Sequence, residues 1–270
     1  MNNQFYKQLQ EDAERIVEKA AQLLILNESS FTTVNQKDEG DMATTADLAA
    51  EKFIIEEIKK KYPNHSIISE EAGELPGKEP YTWIIDPLDG TKEYAKHLSE
   101  YNCLLAVEEH DRIVAGVTKR NGINELYAAS LSYGATLNGN PIHVSSTNTL
   151  DLSYVSTHIP TKKFSKEDIA KDFSILLALV TQCYRARVNY DEAKAFAWVA
   201  RGVLDAHMCI PNGAKYHDIA SGLLLVTESG GKVTDWEGQN IKNRDMSKGI
   251  LASNGIIHGQ VRELIQKAIR

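Results

Sequence analysis

Apolar residues recur every three or four positions near the start of the chain, between charged residues, as in an amphipathic helix. They are Phe5, Leu9, Ala13, Ile16, Val17, Ala20 and Leu24. A second such run extends from Leu48 to Ile58 and ends near Pro63, because a proline disfavours helix at the residue before it. The polar segment from Asn35 to Asp41 lies between the two predicted helices and predicts a loop.

Two short β-rich runs follow, Ser66–Ser69 and Tyr81–Ile85, and each leads directly into acidic residues. This order predicts carboxylates at the ends of strands. From Asn102 to Asn138, strand-like runs separated by turn residues predict an antiparallel meander.

The pattern changes near residue 150 to alternating helices and strands. Predicted elements there are a helix starting at Ser165, strands at Arg185–Val188 and Val203–Cys209, and helices at Glu192–Ala200, Ile219–Glu228 and Val261–Ile269. We therefore predict an N-terminal α+β half, residues 1–148, and a C-terminal α/β half, residues 149–270.

The composition is that of a globular protein, with 270 residues of which 42% are apolar and 25% charged. The formal net charge is -7 and the basic residues are scattered, which argues against a nucleic-acid polymer as partner. A small phosphorylated substrate is still compatible with this charge, because bound divalent cations can supply positive charge.

The three cysteines, Cys103, Cys183 and Cys209, are far apart and show no CxxC spacing. This pattern argues against a disulfide framework or a zinc site and predicts a reducing, cytoplasmic location. The apolar run Ala20–Leu26 lacks the features of a signal peptide, and no segment has the roughly 20 apolar residues of a membrane-spanning helix.

The segment Trp83–Thr91 carries the most chemical information. An apolar strand leads to Asp86, Pro87 turns the chain, and Asp89 can return to the same place, which gives two carboxylates for a hard cation such as Mg²⁺. Gly90 allows a close backbone approach, and a helix beginning at Thr91 would direct amide groups at an anion. Taken alone, this segment is also compatible with a calcium-type loop or a plain Asp-Pro turn.

Further acidic motifs occur upstream in a recognisable order. Thr44 and Asp47 precede a predicted helix, and Glu70 and Glu71 follow a predicted strand. Together with Asp86-Pro87-Leu88-Asp89-Gly90-Thr91 and the distal His217-Asp218, they resemble the motifs of the inositol monophosphatase superfamily. The family usually has tryptophan before the distal aspartate, where this chain has His217.

The resemblance implies a layered αβαβα sandwich and a Mg²⁺-dependent phosphomonoesterase with about two or three bound ions. It implies the following metal ligands: Glu70, Asp86, Asp89, Asp218 and the Leu88 carbonyl. It also implies that Asp47 and Thr91, with Glu70, activate the attacking water, that Gly90 helps to bind substrate, and that lithium inhibits.

Two segments bear on the substrate. Thr91-Lys92-Glu93-Tyr94 and the segment ending at His158 resemble CysQ-type 3′(2′),5′-bisphosphate nucleotidases, which favours adenosine 3′,5′-bisphosphate. The substrate-binding segment of these nucleotidases corresponds in this chain to Asp191-Glu192-Ala193-Lys194-Ala195. The carboxylates of this segment would repel a second phosphate. An inositol or other sugar monophosphate therefore remains an alternative, with Lys194 and His217 as further candidate substrate contacts.

A regulator that binds metal or a phosphometabolite without catalysis is the alternative from another class. The Asp47 and Thr91 pair argues against it, because a binding module needs no such pair. A homodimer is also possible, because no exposed stripe of residues in the sequence decides the oligomeric state.

Overall fold

The computed structural model describes residues 3–38, 41–188 and 191–269. It consists of two compact units, Met1–Asn140 and Pro141–Arg270. This division lies slightly earlier in the chain than the predicted boundary at residues 148 and 149. Both units combine mixed β-sheets with packed helices in a layered α/β arrangement.

The described residues form seven α-helices and fifteen strands, with 3₁₀ turns at Asn121–Ile123 and Leu150–Leu152. The helices are α1 (Asn3–Asn27), α2 (Thr45–Lys61), α3 (Thr91–Ala95), α4 (Lys166–Gln182), α5 (Glu192–Ala200), α6 (Tyr216–Glu228) and α7 (His258–Ala268). The strands are β1 (Thr33–Asp38), β2 (Asp41–Thr44), β3 (Ser66–Ser69), β4 (Gly73–Leu75), β5 (Tyr81–Asp89), β6 (Asn102–Glu109), β7 (Arg112–Arg120), β8 (Glu125–Ser130), β9 (Ala135–Leu137), β10 (Asn140–Ile142), β11 (Tyr154–Thr157), β12 (Arg185–Arg187), β13 (Ala206–Cys209), β14 (Lys232–Asp235) and β15 (Ile250–Ser253).

The first unit is built on one large sheet with the strand order β10-β9-β8-β7-β6-β5-β3-β4. From β5 to β9 each neighbouring pair is antiparallel, which confirms the predicted meander. Strands β3 and β5 run parallel. Helices α1 and α2 pack on this sheet, and their apolar faces form one core with Trp83, Ile85 and Leu105.

The segment predicted as a loop between the first two helices contains strand instead. Strands β1 and β2 pair antiparallel, while Glu39 and Gly40 lie outside the described residues. The prediction of a loop from Asn35 to Asp41 was therefore wrong for the described part. Polarity was the wrong guide there, because a ladder of backbone hydrogen bonds needs no apolar side chains.

The second unit has a five-stranded sheet with the order β12-β11-β13-β15-β14. Successive side chains of β13 point to opposite faces. Met208 joins the apolar core that α4 and α7 cover, whereas the ring of His207 contacts Phe196 of α5. Helices α5 and α6 thus cover the face opposite α4 and α7, and they pack so closely that a Cβ on Gly222 would lie 2.6 Å from Phe196 Cβ.

No helix within the described ranges combines the length and the apolar character that crossing a bilayer requires.

Candidate active site

Two acidic residues lie close together in the first unit, where β3 ends beside the parallel strand β5. The β3–β5 register pairs Ser69 with Ile85, so Glu70 and Asp86 come next on their respective chains. A carboxylate oxygen of Glu70 lies within 4.8 Å of one of Asp86. Asp86 is only 2% exposed. The parallel strands therefore bring together two carboxylates that are distant in sequence.

The strand β5 continues past Asp86 through an irregularity in its pairing with β6. Asp86 pairs with Leu104 and Asp89 with Asn102, so three steps along β5 match two along β6, which is the signature of a β-bulge. The Leu88 N–H donates to Asp86 Oδ1 at 3.1 Å. The side-chain amide of Asn102 donates to Asp89 Oδ2 at 2.7 Å. Both carboxylates are thus oriented by donors from the local backbone or a neighbouring strand.

Thr91 begins the short helix α3, and its hydroxyl has two acceptors within reach. Oγ1 lies 3.1 Å from Asp47 Oδ1 and 3.0 Å from the Leu88 carbonyl oxygen. A threonine hydroxyl has one hydrogen to donate, so it can bond to only one of them at a time. The preceding Gly90 has a φ of 85°, and a Cβ there would lie 2.8 Å from the Glu100 carbonyl oxygen. Glycine is therefore required at this close approach.

Asp47 occupies the third position of helix α2, where it also takes part in a capping box. The backbone N–H of Thr44 donates to Asp47 Oδ2 at 2.8 Å, and the Thr44 hydroxyl contacts the same oxygen. Burial raises the pKa of Asp47, and the hydrogen bonds from Thr44 and Thr91 oppose that rise. One oxygen of this carboxylate caps the helix while the other faces Thr91.

Glu51 holds the loop that carries Glu70. Its side chain lies one turn beyond Asp47 on α2 and is buried. Oε1 accepts the backbone N–H groups of Glu71 and Ala72, each at 3.0 Å, and also the Ser69 hydroxyl. These bonds fix the backbone on both sides of Glu70.

The donor set of the first unit fits a hard divalent cation. Glu70 and Asp86 provide carboxylate oxygens, Asp89 a further carboxylate, and Leu88 a backbone carbonyl. Oxygen ligands of this kind are those that Mg²⁺ takes in proteins. The buried Asp86 carboxylate accepts the Leu88 N–H and carries a charge that a bound cation would stabilise. The residues present are therefore compatible with bound Mg²⁺.

The distal motif lies at the start of α6 in the second unit. Asp218 Oδ2 accepts the Lys215 N–H at 2.8 Å, and Asp218 Oδ1 lies 3.2 Å from His217 Nε2. Both side chains are half-buried. The role of Asp218 as a metal ligand and that of His217 toward substrate stay predictions.

The candidate substrate residues of the second unit surround the start of α5. His158 Nδ1 lies 2.9 Å from Glu192 Oε1, and this neighbour raises the pKa of His158. Asp191 caps α5 by accepting the Lys194 N–H at 2.7 Å. Lys194 is buried, with its Nζ 5.4 Å from the centre of the Trp198 ring. The structure thus places His158 beside Glu192 and assigns Asp191 a capping role.

Two residues of the first unit were missed by reasoning from the sequence. Asn102 contacts Asp89 from the adjacent strand, and nothing in its local sequence marks it. The position of Glu51 could have been predicted, because it lies four residues after Asp47 and hence on the same face of the helix.

Comparison with known proteins identifies one family. A profile of the inositol monophosphatase family matches residues 5–270. Nus factor SuhB of Escherichia coli is 36% identical over 245 residues, which cover 90% of this chain and 90% of that protein. The Nus factor SuhB of Haemophilus influenzae is 33% identical over 229 residues, or 84% of each chain.

Solved structures give the same result for the fold. The extragenic suppressor protein suhB from Bartonella henselae superposes with a TM-score of 0.87 at 27% identity, covering 96% of this chain and 98% of that one. An inositol monophosphatase from Anabaena gives a TM-score of 0.84 at 27% identity, covering 97% and 96%. These similarities extend over nearly the whole chain.

Proposed function

Because the chain belongs to the inositol monophosphatase family, we propose that it is a Mg²⁺-dependent phosphomonoesterase acting on a small phosphate ester. The contact between Thr91 Oγ1 and Asp47 Oδ1 carries this proposal. A buried carboxylate beside a hydroxyl provides a route for a proton, which hydrolysis needs and simple binding does not.

Glu70, Asp86, Asp89 and Asp218, with the Leu88 carbonyl, are the ligands in this proposal. Bound Mg²⁺ would neutralise charge on the phosphoryl group and lower the pKa of water. The first three side chains and the carbonyl belong to the first unit. Asp218 belongs to the second, and its assignment follows the family's motif.

The chain's own contribution to the reaction is to hold and move a proton. With its hydrogen directed at Asp47 Oδ1, the Thr91 oxygen keeps lone pairs that can accept a hydrogen bond from the attacking water. The raised pKa of Asp47 makes its carboxylate a better proton acceptor than an ordinary aspartate. Thr91 thus orients the water, and Asp47 receives the proton that passes along this hydrogen bond.

For the substrate, we favour a monophosphate of a polyhydroxylated compound such as an inositol. A second phosphate would need a positively charged group nearby. His158 is such a group, but its pairing with the Glu192 carboxylate offsets its charge. Lys194 is buried, with its Nζ near the ring of Trp198. The relative from Anabaena that is named an inositol monophosphatase points in the same direction.

Adenosine 3′,5′-bisphosphate is the second candidate substrate. It is supported by the sequence Thr91-Lys92-Glu93-Tyr94, which resembles that of the bisphosphate nucleotidases. The two candidates differ in the number of phosphates, so one assay separates them.

A regulatory role without catalysis is the candidate from another class. It is favoured by one observation, that relatives 33–36% identical are named Nus factor SuhB. A chain with only this role would bind metal or phosphometabolite but release no phosphate.

The test measures phosphate release by the purified chain with Mg²⁺ or with EDTA. The substrates are inositol 1-phosphate, adenosine 3′,5′-bisphosphate and fructose 1,6-bisphosphate. We expect Mg²⁺-dependent turnover that is fastest with inositol 1-phosphate. Turnover of the nucleotide alone would reverse the substrate assignment, and no turnover of any ester would favour the regulatory role.

A further inference from the structure

A cluster of three different ligand types lies in the interior of the second unit. It consists of Glu192, His207 and Cys209, which we call the EHC cluster. A carboxylate oxygen, a ring nitrogen and the sulfur all lie within 4.8 Å of one another. Glu192 is 6% exposed, and the other two are fully buried.

The fold brings these residues together. His207 and Cys209 are two positions apart on β13, so their side chains share a face of the sheet. That face is the one covered by α5, whose first residue is Glu192. The sequence shows no such convergence, since Glu192 belongs to a different element and the cysteines lack metal-site spacing.

The ring of His207 is held in one orientation. Its Nδ1 lies 2.8 Å from the hydroxyl of Ser156, which is its register partner on the adjacent strand β11. The other ring nitrogen, Nε2, faces Cys209 Sγ at 3.6 Å. Metal-binding histidines are commonly fixed in this way, by a polar partner on the nitrogen that does not bind the metal.

The separation of Nε2 and Sγ is also suitable for a shared ion. A tetrahedral zinc site has bonds of about 2.3 Å to sulfur and about 2.0–2.1 Å to nitrogen. These bond lengths place the two ligand atoms roughly 3.5 Å apart. The observed 3.6 Å matches this value without rearrangement of the strand.

Glu192 adds a buried carboxylate to the two candidate ligands on β13. Its Oε1 is buried. His158 Nδ1 lies 2.9 Å away, within ion-pair range, and this carboxylate raises the pKa of His158. A buried carboxylate is stabilised by nearby positive charge, and a metal ion held by His207 and Cys209 would add to the compensation that His158 provides.

We propose that Glu192, His207 and Cys209 bind a divalent transition-metal ion, with Zn²⁺ as the best fit. A mixed set of sulfur, nitrogen and oxygen ligands suits Zn²⁺ and not Mg²⁺, which takes oxygen ligands. Three protein ligands leave the fourth tetrahedral position for water or another small ligand. His158 Nδ1 contacts Glu192 Oε1 and can hold this carboxylate in orientation for the metal ion.

The test uses Co²⁺ as a spectroscopic substitute for Zn²⁺. The full-length protein is stripped with EDTA under reducing conditions, supplied with excess Mg²⁺ to fill oxygen-ligand sites, and titrated with Co²⁺. We expect a thiolate-to-cobalt absorption band that saturates at one equivalent and disappears on addition of Zn²⁺. No such band in the wild-type protein would overturn the proposal.

Matched variants identify the sulfur. Cys209→Ser should abolish the band, whereas Cys103→Ser, another fully buried cysteine on a strand, should retain it. Glu192→Gln should weaken Co²⁺ binding by about tenfold or more. A band that survives in Cys209→Ser would place the metal elsewhere.

A measurement on the wild-type protein covers the case in which Cys209→Ser does not fold. X-ray absorption at the zinc edge should show one sulfur at about 2.3 Å among lighter ligands. A shell of nitrogen and oxygen only would contradict the proposal. Neither spectroscopic result depends on phosphatase activity, so the two proposals fail separately.

Discussion

The Thr91 hydroxyl lies 3.1 Å from the Asp47 carboxylate, although the two residues are 44 positions apart. Asp47 is fixed by the cap of α2 and Thr91 by the turn that begins α3. The contact therefore depends on two helix starts meeting at one edge of a sheet. The first prediction concerns this pair.

Thr91→Ala should lower kcat by about a hundredfold or more, because it removes the hydroxyl that orients the water and connects it to Asp47. Thr91→Ser keeps the hydroxyl and should retain most of the activity. Steady-state assays at saturating Mg²⁺ check this, with the Mg²⁺ affinity measured in parallel. Equal activity of the alanine and serine variants would refute the proton route.

Asp89→Asn should lower turnover by about a hundredfold or more with the fold intact, because it removes a charge from the proposed metal site. Lys194→Ala is the comparison and should have a smaller effect, since this lysine packs on Trp198. Both are measured as kcat/KM, with circular dichroism as the check on folding. A larger loss in Lys194→Ala would mean that the lysine, and not Asp89, governs the reaction.

Glu51→Ala should raise the Mg²⁺ concentration needed for half-maximal activity by about tenfold, because Glu51 fixes the backbone around Glu70. Glu51→Gln retains a carbonyl acceptor and should restore part of the affinity. At saturating Mg²⁺, kcat should change little.

Glu56→Gln provides the control for Glu51, since Glu56 is exposed on the same helix. Its Mg²⁺ titration should match that of the wild type. If Glu51→Ala also gave the wild-type titration, Glu51 would have no positioning role.

Asp172 should make stability depend on pH. Burial, followed by the nearby Asp168, raises its pKa from 3.8 to about 6, while His158 and Lys171 oppose the rise. The folded state therefore binds this proton more tightly than the unfolded state. The resulting stabilisation is complete below about pH 4 and is lost as the pH rises to about 6.

The melting temperature of Asp172→Asn should therefore rise relative to that of the wild type between about pH 4 and pH 6, and the difference should then level off. Thermal unfolding at a series of pH values measures this. Glu167→Gln, an exposed change on the same helix, should leave the shape of the wild-type curve unaltered. A constant difference across the series would show that Asp172 titrates normally.

LiCl should inhibit phosphate release at concentrations on the order of millimolar, because Li⁺ resembles Mg²⁺ in size but has half its charge. NaCl at equal ionic strength is the control. Asp218→Asn should weaken the inhibition, since Asp218 is a proposed ligand of the ion that Li⁺ replaces. Identical curves for the two salts would argue against a second metal site of the family type.

The sequence alone determined the strands that end in carboxylates and the helices with strong apolar periodicity. Local pattern sufficed for these elements: the β-rich run before Glu70 was predicted with the bounds of β3, the run before Asp86 lies within β5, and α5 was predicted with its observed bounds, Glu192–Ala200. The ordered motifs also determined the family. Local information failed for β1, whose polar sequence gave no strand signal, and for β15, which pairs with the distant strand β13.

Only the tertiary structure decided which side chains act on one another across elements. Asn102 reaches Asp89 because β6 pairs with β5, and Cys209 reaches Glu192 because α5 covers one face of β13. Each contact depends on strand register or helix packing, which are set by burying apolar surface over the whole unit. The local sequence shows which chemical groups are present, but the packing of the folded core sets the distances between them.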